Sequence, residues 1–122
     1  DLARADAQAI LQWLGQIGVL RLDALSPIPL PCCAPTPLAG SETLCATQAG
    51  LVVFAAAVGQ RVQAGDLVAE VIDPISGDCQ RICASVQGVL YARIRERYVH
   101  AGGELGKVAG ATAFRSGPLL GF

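Results

Sequence analysis

Ile10, Trp13, Leu14 and Ile17 fall at i, i+3, i+4 and i+7, which draws one apolar stripe along a helix predicted over residues 2–18. Gly18 is its expected stop, because glycine enters the left-handed conformation at a helix end without a Cβ clash. A helix of this length draws most of its stability from packing, so the stripe needs a surface. Its own β region or a neighbouring domain would serve, and the pattern does not choose. Next, Pro27, Pro29, Pro31, Pro35 and Pro37 recur within residues 26–37. Proline removes backbone donors and favours extended geometry. The stretch reads as a stiff linker, with a ligand for a proline-binding module as the functional alternative.

From Glu42 onward the period changes from helical to alternating. Thr43, Cys45 and Thr47 alternate with Leu44, Ala46 and Gln48. Leu51–Phe54, Leu67–Ile72, Gln80–Ala84, Gly88–Ile94 and Glu104–Ala109 are predicted strands, punctuated by Gly59, Gly65-Asp66, Asp73-Pro74, Ser76-Gly77-Asp78 and Gly102-Gly103. One phrase is written twice. Val62-Gln-Ala-Gly65-Asp-Leu-Val-Ala-Glu-Val71 recurs as Val99-His-Ala-Gly102-Gly-Glu-Leu-Gly-Lys-Val108. Each copy follows a Gly and an apolar run, Gly50-Leu-Val-Val-Phe54 and Gly88-Val-Leu-Tyr91. A short β unit that cannot bury its apolar face alone is expected to close on its twin. Gly65 and Gly102 stand at matching turn positions, where a chain reversal favours φ > 0. Val62 and Val99 are the expected core plugs. Short strands with tight turns indicate a small sandwich or barrel.

Composition narrows the function classes. The chain has 122 residues, 52% of them hydrophobic, and a net charge of −1. That suits one core with an appendage. It leaves no electrostatic footprint for nucleic acid and no polybasic patch for a membrane surface. No apolar run reaches the ~18 residues that span a bilayer. The opening Asp1-Leu-Ala-Arg4 is not a signal peptide, so a cytoplasmic location is expected. Met is absent, even at position 1, which leads to the expectation of a piece of a longer protein. The five cysteines, Cys32, Cys33, Cys45, Cys79 and Cys83, are odd in number and lack zinc-ligand spacing, so free thiols and no metal site are expected. Cys79 and Cys83 should share a strand face.

The duplicated Gly-apolar run and V-x-x-G-[DG] turn, set around a central hairpin, resemble the barrel-sandwich hybrid of biotinyl and lipoyl carrier domains. The expected fold is therefore mainly β: a biotinyl/lipoyl-like pseudo-twofold β sandwich with an N-terminal helix and a Pro-rich linker. Carrier domains present a lysine at the hairpin tip. Val71–Ile82 contains none, and the chain's only lysine is Lys107 in the second repeat. Carrier chemistry is excluded for want of that amine.

A closer resemblance rests on the helix, the Pro-containing linker and four stretches. These are Ala49-Gly-Leu-Val-Val, Val58-Gly-Gln-Arg-Val-Gln-Ala-Gly-Asp66, Val71-Ile-Asp-Pro-Ile-Ser-Gly-Asp78 and Ala84-Ser-Val-Gln-Gly-Val-Leu-Tyr91. Together they resemble the C-terminal part of the succinylglutamate desuccinylase/aspartoacylase family, zinc-dependent deacylases related to the zinc carboxypeptidases. In that family an N-terminal α/β catalytic domain precedes a β domain. The resemblance implies that residues 1–20 are the last helix of the catalytic domain, 21–41 the linker, 42–114 the β domain and 115–122 a tail. It implies the chain's own catalytic domain and a small N-acyl amino acid as partners. The family's zinc is held by two His and one Glu, with a further Glu as base. This chain has one histidine, His100, so no catalytic or metal residue is expected here, and zinc belongs to the parent. The implied role is non-catalytic: to narrow access to the metal and support assembly.

Arg93, Arg95 and Arg97 alternate along a predicted strand, which would aim three guanidinium groups at one face. They could gather carboxylates at the mouth of the parent's active site, or simply solvate and protect an edge strand. His100 takes the repeat position of Gln63, which suggests a solvent-facing turn. Glu70 and Asp73 are assigned no chemistry, and Cys32-Cys33 reads as small apolar filling. Exposed Trp13 and Leu14 could drive a homo-oligomer. Two rival functions remain. A membrane-fusion adaptor would add long coiled-coil hairpins and an export signal. A self-sufficient metallopeptidase would add further His or Asp ligands.

Overall fold

The computed structural model describes residues 2–21 and 33–119, and divides into two compact units, Asp1–Pro31 and Cys32–Phe122. Pro27, Pro29, Pro31 and Cys32, and most of the expected linker, lie outside the described residues.

In the first unit, α1 spans Leu2–Gln16, two residues short of the predicted span. Gly18 ends it at φ 78°. The Gly18 amide donates to Gly15 O (3.1 Å) and the Val19 amide to Leu14 O (2.9 Å), the paired closure of a Schellman motif. This closure consumes the last carbonyls, so the helical ladder stops before residue 18 is reached. Of the predicted stripe, Ile10, Trp13 and Ile17 are more than half exposed, while Leu14 is half-buried.

Among its described residues the second unit holds eight strands: β1 (Ser41–Cys45), β2 (Gly50–Phe54), β3 (Arg61–Val62), β4 (Leu67–Ile72), β5 (Cys79–Cys83), β6 (Gly88–Arg93), β7 (Tyr98–Val99) and β8 (Glu104–Gly110). They form two antiparallel sheets, ordered β1-β8-β6-β3 and β5-β4-β2-β7. The sequence duplication dictates that order. β2, β3, β4 and β5 correspond to β6, β7, β8 and β1, so one sheet repeats the other. Hydrogen bonds repeat with it. The Val52 amide donates to Arg97 O (2.8 Å) and the matching Leu90 amide to Gln60 O (3.0 Å). Likewise Gly65 donates to Ala84 O and Gly102 to Ala46 O, at 2.8 and 2.7 Å.

The core is built from the same twin positions. Val52 and Leu90, Val62 and Val99, Val68 and Leu105, and Val71 and Val108 are all buried in one cluster shared by both sheets. Each half covers the other's apolar face, which is why neither needs a second layer of its own.

The described strands do not close into a barrel. At the open seam between edge strands β1 and β5, side chains take the place of a ladder. The Glu42 carboxylate accepts from the Ser85 amide (3.0 Å) and the Val86 amide (3.4 Å). Gln80 Oε1 accepts from the Thr47 and Gln48 amides (3.0 and 3.3 Å), and Gln48 Nε2 donates to Val71 O (3.0 Å). These bonds satisfy backbone groups that an edge would otherwise leave to water.

Candidate functional site

The three arginines are not carried by one strand. β6 ends at Arg93, residues 94–97 are irregular with bends at Arg95 and Arg97, and β7 begins at Tyr98 in the opposite sheet. The chain has to cross between sheets here, and a continuous strand cannot do so. Half-buried Ile94 turns onto the core, its amide donating to Leu105 O (2.8 Å). At the far end Arg97 O accepts the Val52 amide (2.8 Å). The connection is thus pinned to both sheets.

The crossing nevertheless brings the arginines together. An open depression of about 410 Å³ is lined by apolar Phe54, Val58 and Ile94 and by Arg93, Arg95, Glu96 and Arg97. The Arg93 guanidinium lies 4.8 Å from the Phe54 ring centroid, and its Nη1 donates to Ala56 O (3.4 Å). That stack orients the planar group. The side chains of Arg95, Glu96 and Arg97 have no ion-pair or hydrogen-bond partner among the described residues; the ion pair found there is Lys107–Glu104 (3.2 Å). Three arginines and one glutamate therefore line one depression. The apolar half of this lining was not legible beforehand, because Phe54 and Val58 are distant in sequence and reach the arginines only across the sheet boundary.

The other singled-out residues serve the turns. Gly65 and Gly102 have φ of 93° and 80°. Asp66 Oδ2 accepts the Gln63 amide (2.8 Å) across the first of these turns. Exposed His100 meets the Tyr98 ring edge-on, with centroids 5.4 Å apart. Glu70 stands opposite Arg81 in the β4–β5 register. Cys33 is half-buried, and Cys45, Cys79 and Cys83 are exposed free thiols. No group of three His, Cys, Asp or Glu side chains able to hold a metal occurs among the described residues. A lone exposed imidazole beside a tyrosine does not fit the two-His, one-carboxylate zinc site that the sequence resemblance implies, so no catalytic step is assigned to this chain.

At the β4–β5 hairpin tip, where a carrier lysine would stand, Ile75 is 96% exposed. Asp73 builds that tip: its Oδ1 accepts the Ile75 amide (2.8 Å) and the Ser76 amide (3.4 Å). The Ile75 amide bond is the main cause that holds the Asp73 carboxyl below its ordinary value, against a smaller opposing desolvation. A carboxyl depressed in the folded state contributes its stabilisation in full above the ordinary carboxylate range and loses it as pH falls through the lowered folded value. The Ile75 and Ser76 amide resonances should therefore titrate with a midpoint below that of an ordinary Asp, and Asp73→Asn should abolish the titration. A midpoint at or above the ordinary value contradicts this.

No family model matches the sequence, and no curated protein matches it. Solved structures do. The chain superposes on a protein assigned to the succinylglutamate desuccinylase/aspartoacylase family from Shewanella frigidimarina NCIMB 400, with 27% identity and a TM-score of 0.69, covering 90% of this chain and 31% of that one. It matches a second such protein, from Shewanella amazonensis SB2B, at 24% identity and a TM-score of 0.69, over 85% of this chain and 29% of the other. The chain has the fold of the C-terminal part of succinylglutamate desuccinylase/aspartoacylase family proteins. The ectoine utilization protein EutE (DoeB) from Ruegeria pomeroyi, in its product-bound structure, shares that fold at 20% identity and a TM-score of 0.64, over 86% of this chain and 32% of that one. The chain thus spans less than a third of the length of each of these three proteins. Among the described residues no helix is long and apolar enough to cross a membrane.

Proposed function

We propose that this chain is the non-catalytic C-terminal β domain of a zinc-dependent amidohydrolase that removes an acyl group from an N-acyl amino acid in the cytoplasm. The observation that carries the reading is the fold match, which takes in 90% of this chain but only 31% of a family protein. The duplicated strand order and hydrogen bonds support the barrel-sandwich hybrid as its architecture. In this reading zinc and its ligands belong to an N-terminal catalytic domain, and the β domain narrows access to the metal so that small substrates enter and peptides do not. Arg93, Arg95 and Arg97 are the access-facing residues. A role in assembly draws support from the outer face of the second sheet. There Tyr98, Leu51, Ile72 and Cys79 are successive register partners across all four strands, with Leu51 and Tyr98 nearly half exposed.

Two measurements test the proposal. This chain, purified by itself, should hold no stoichiometric zinc and should not turn over N-acetyl or N-succinyl amino acids. The coding sequence upstream should supply an H-x-x-E pair and a later His, and the longer protein should do both. Zinc together with turnover on the isolated chain would overturn the non-catalytic assignment.

A further inference from the structure

We infer that the outer face of the second sheet docks a second copy of this chain, packed face to face across a two-fold axis. The duplication supplies the comparison that reveals it. Tyr98, Leu51, Ile72 and Cys79 form one row across β7, β2, β4 and β5. The twin row in the first sheet is Arg61, Val89, Ala109 and Ser41. That twin row is covered. Val89 and Ser41 are buried, although neither belongs to the core cluster between the sheets. Cys33, Thr36, Thr112 and Phe114 line one cavity with Val89 and Ala109. The Phe114 and Arg115 amides donate to Ala39 O (3.1 and 3.0 Å), which ties the two flanking segments to each other.

The second sheet carries the larger apolar groups without such cover from its own unit. Leu51 stands where the first sheet has Val89, and Ile72 where it has Ala109. Yet Leu51 is 45% exposed against 3% for Val89, and Tyr98 and Val53 are nearly half exposed. The solvated face of an antiparallel sheet is ordinarily polar, and a contiguous apolar patch marks an interaction surface. The connections between successive strands run four to six residues, too short to fold back over a face four strands wide. Residues 33–40 and 111–115, which flank the strands, lie against the first sheet. The cover therefore comes from outside these strands and their connections.

Charge selects a second copy. In the adjoining row Val53, Glu70 and Arg81 are register partners, so the two rows together hold one acid and one base and no net charge. A two-fold contact sets a patch against itself. The acid and base of one copy can then pair crosswise with those of the other, while the apolar row meets its like. A strongly acidic or strongly basic partner would leave one of the two groups unmatched. Packing of antiparallel sheets through apolar faces is also how this unit builds its own core. The face is about 19 Å wide at the usual strand spacing, less than the ~800 Å² per partner of a standard interface, so the dimer is a weak one.

The inference names the partner for the assembly role proposed above and rests on that part of the reading. A failure of the hydrolase reading would show in the zinc and turnover assays, and a failure here in the molecular mass of this chain.

Sedimentation equilibrium on this chain tests it. A monomer–dimer equilibrium with a Kd on the order of 100 μM is expected. Cys79 gives a local readout, because its exposed thiol ends the row. Its rate of reaction with a maleimide should fall as the protein concentration rises through the Kd, while Cys45, an exposed thiol on the first sheet, keeps a constant rate. Leu51→Lys and Tyr98→Lys should each raise the Kd about tenfold or more. Val58→Lys, at an exposed valine of the β2–β3 connection, should leave it unchanged. Leu51 and Tyr98 point to solvent in the monomer, so their variants keep the fold, which unchanged core amide shifts would verify. A chain that stays monomeric up to about 1 mM would overturn the inference. A dimer that persists in the Leu51→Lys/Tyr98→Lys double variant would overturn it too, by moving the contact to another surface such as the α1 stripe. So would a Cys79 thiol that reacts slowly at every concentration, since the cover would then belong to the same chain.

Discussion

Gly88→Ala is expected to destabilise the β unit by about 3 kcal/mol, the cost of forcing a methyl into backbone that has no room for it. A Cβ at Gly88 would stand 2.3 Å from Ala109 O and 2.7 Å from its carbonyl carbon. Both atoms belong to β8, which is paired to β6 on one side and β1 on the other, so neither can retreat without breaking a ladder. The twin position repeats the constraint. A Cβ at Gly50 would lie 2.5 Å from Ile72 O, and Ile72 is the counterpart of Ala109. Gly50→Ala should therefore cost a similar amount. Gly65 offers the control. Its φ is 93° and nothing lies within 4 Å of its Cβ direction, so Gly65→Ala meets only backbone strain, about 1–2 kcal/mol. Urea denaturation of the three variants checks the ranking. A Gly88→Ala protein within about 0.5 kcal/mol of the parent would refute the steric account, because that is the spread of innocuous surface changes.

Leu105→Ala should cost about 3–4 kcal/mol, and unfolding should remain one transition. Leu105 and its twin Val68 are both fully buried, one in each sheet, within the same cluster. Val68→Ala removes less volume and should cost about 2 kcal/mol. Since each half is the other's cover, damage to one cannot leave its twin folded. The urea slope should be unchanged in both variants, with only the midpoint moved. Two separated transitions, or a shallower slope in either variant, would show that the halves fold independently and that the duplication is one of sequence alone.

These two expectations bear on function as well as stability. The arginine-bearing connection has no strand of its own to hold it. Its geometry comes from Ile94 seated against the core and from Arg97 O bonded to Val52, whose counterpart Leu90 begins the matching bond. A variant that loosens the core should thus disturb the depression before it unfolds the domain.

Read by itself, the chain declared the helix and its glycine stop, five of the strands that build the sheets, the duplication and the two turn glycines. These are local properties: a period of 3.6 or 2, or a backbone angle that only glycine adopts cheaply. The likeness to a family β domain was legible for the same reason, because it is carried by short contiguous motifs. The tertiary structure alone decided the rest. The two-residue strands β3 and β7 have no period to detect and exist only because β6 and β2 lie beside them. Gly50 and Gly88 look like strand openings in sequence, and the carbonyl that forbids a side chain comes from residues far along the chain. Alternation placed Arg93, Arg95 and Arg97 on one strand face, but the crossing between sheets bent that strand and put Phe54 and Val58 among them. Which partner approaches from a distance depends on how two sheets meet, and no local pattern records that.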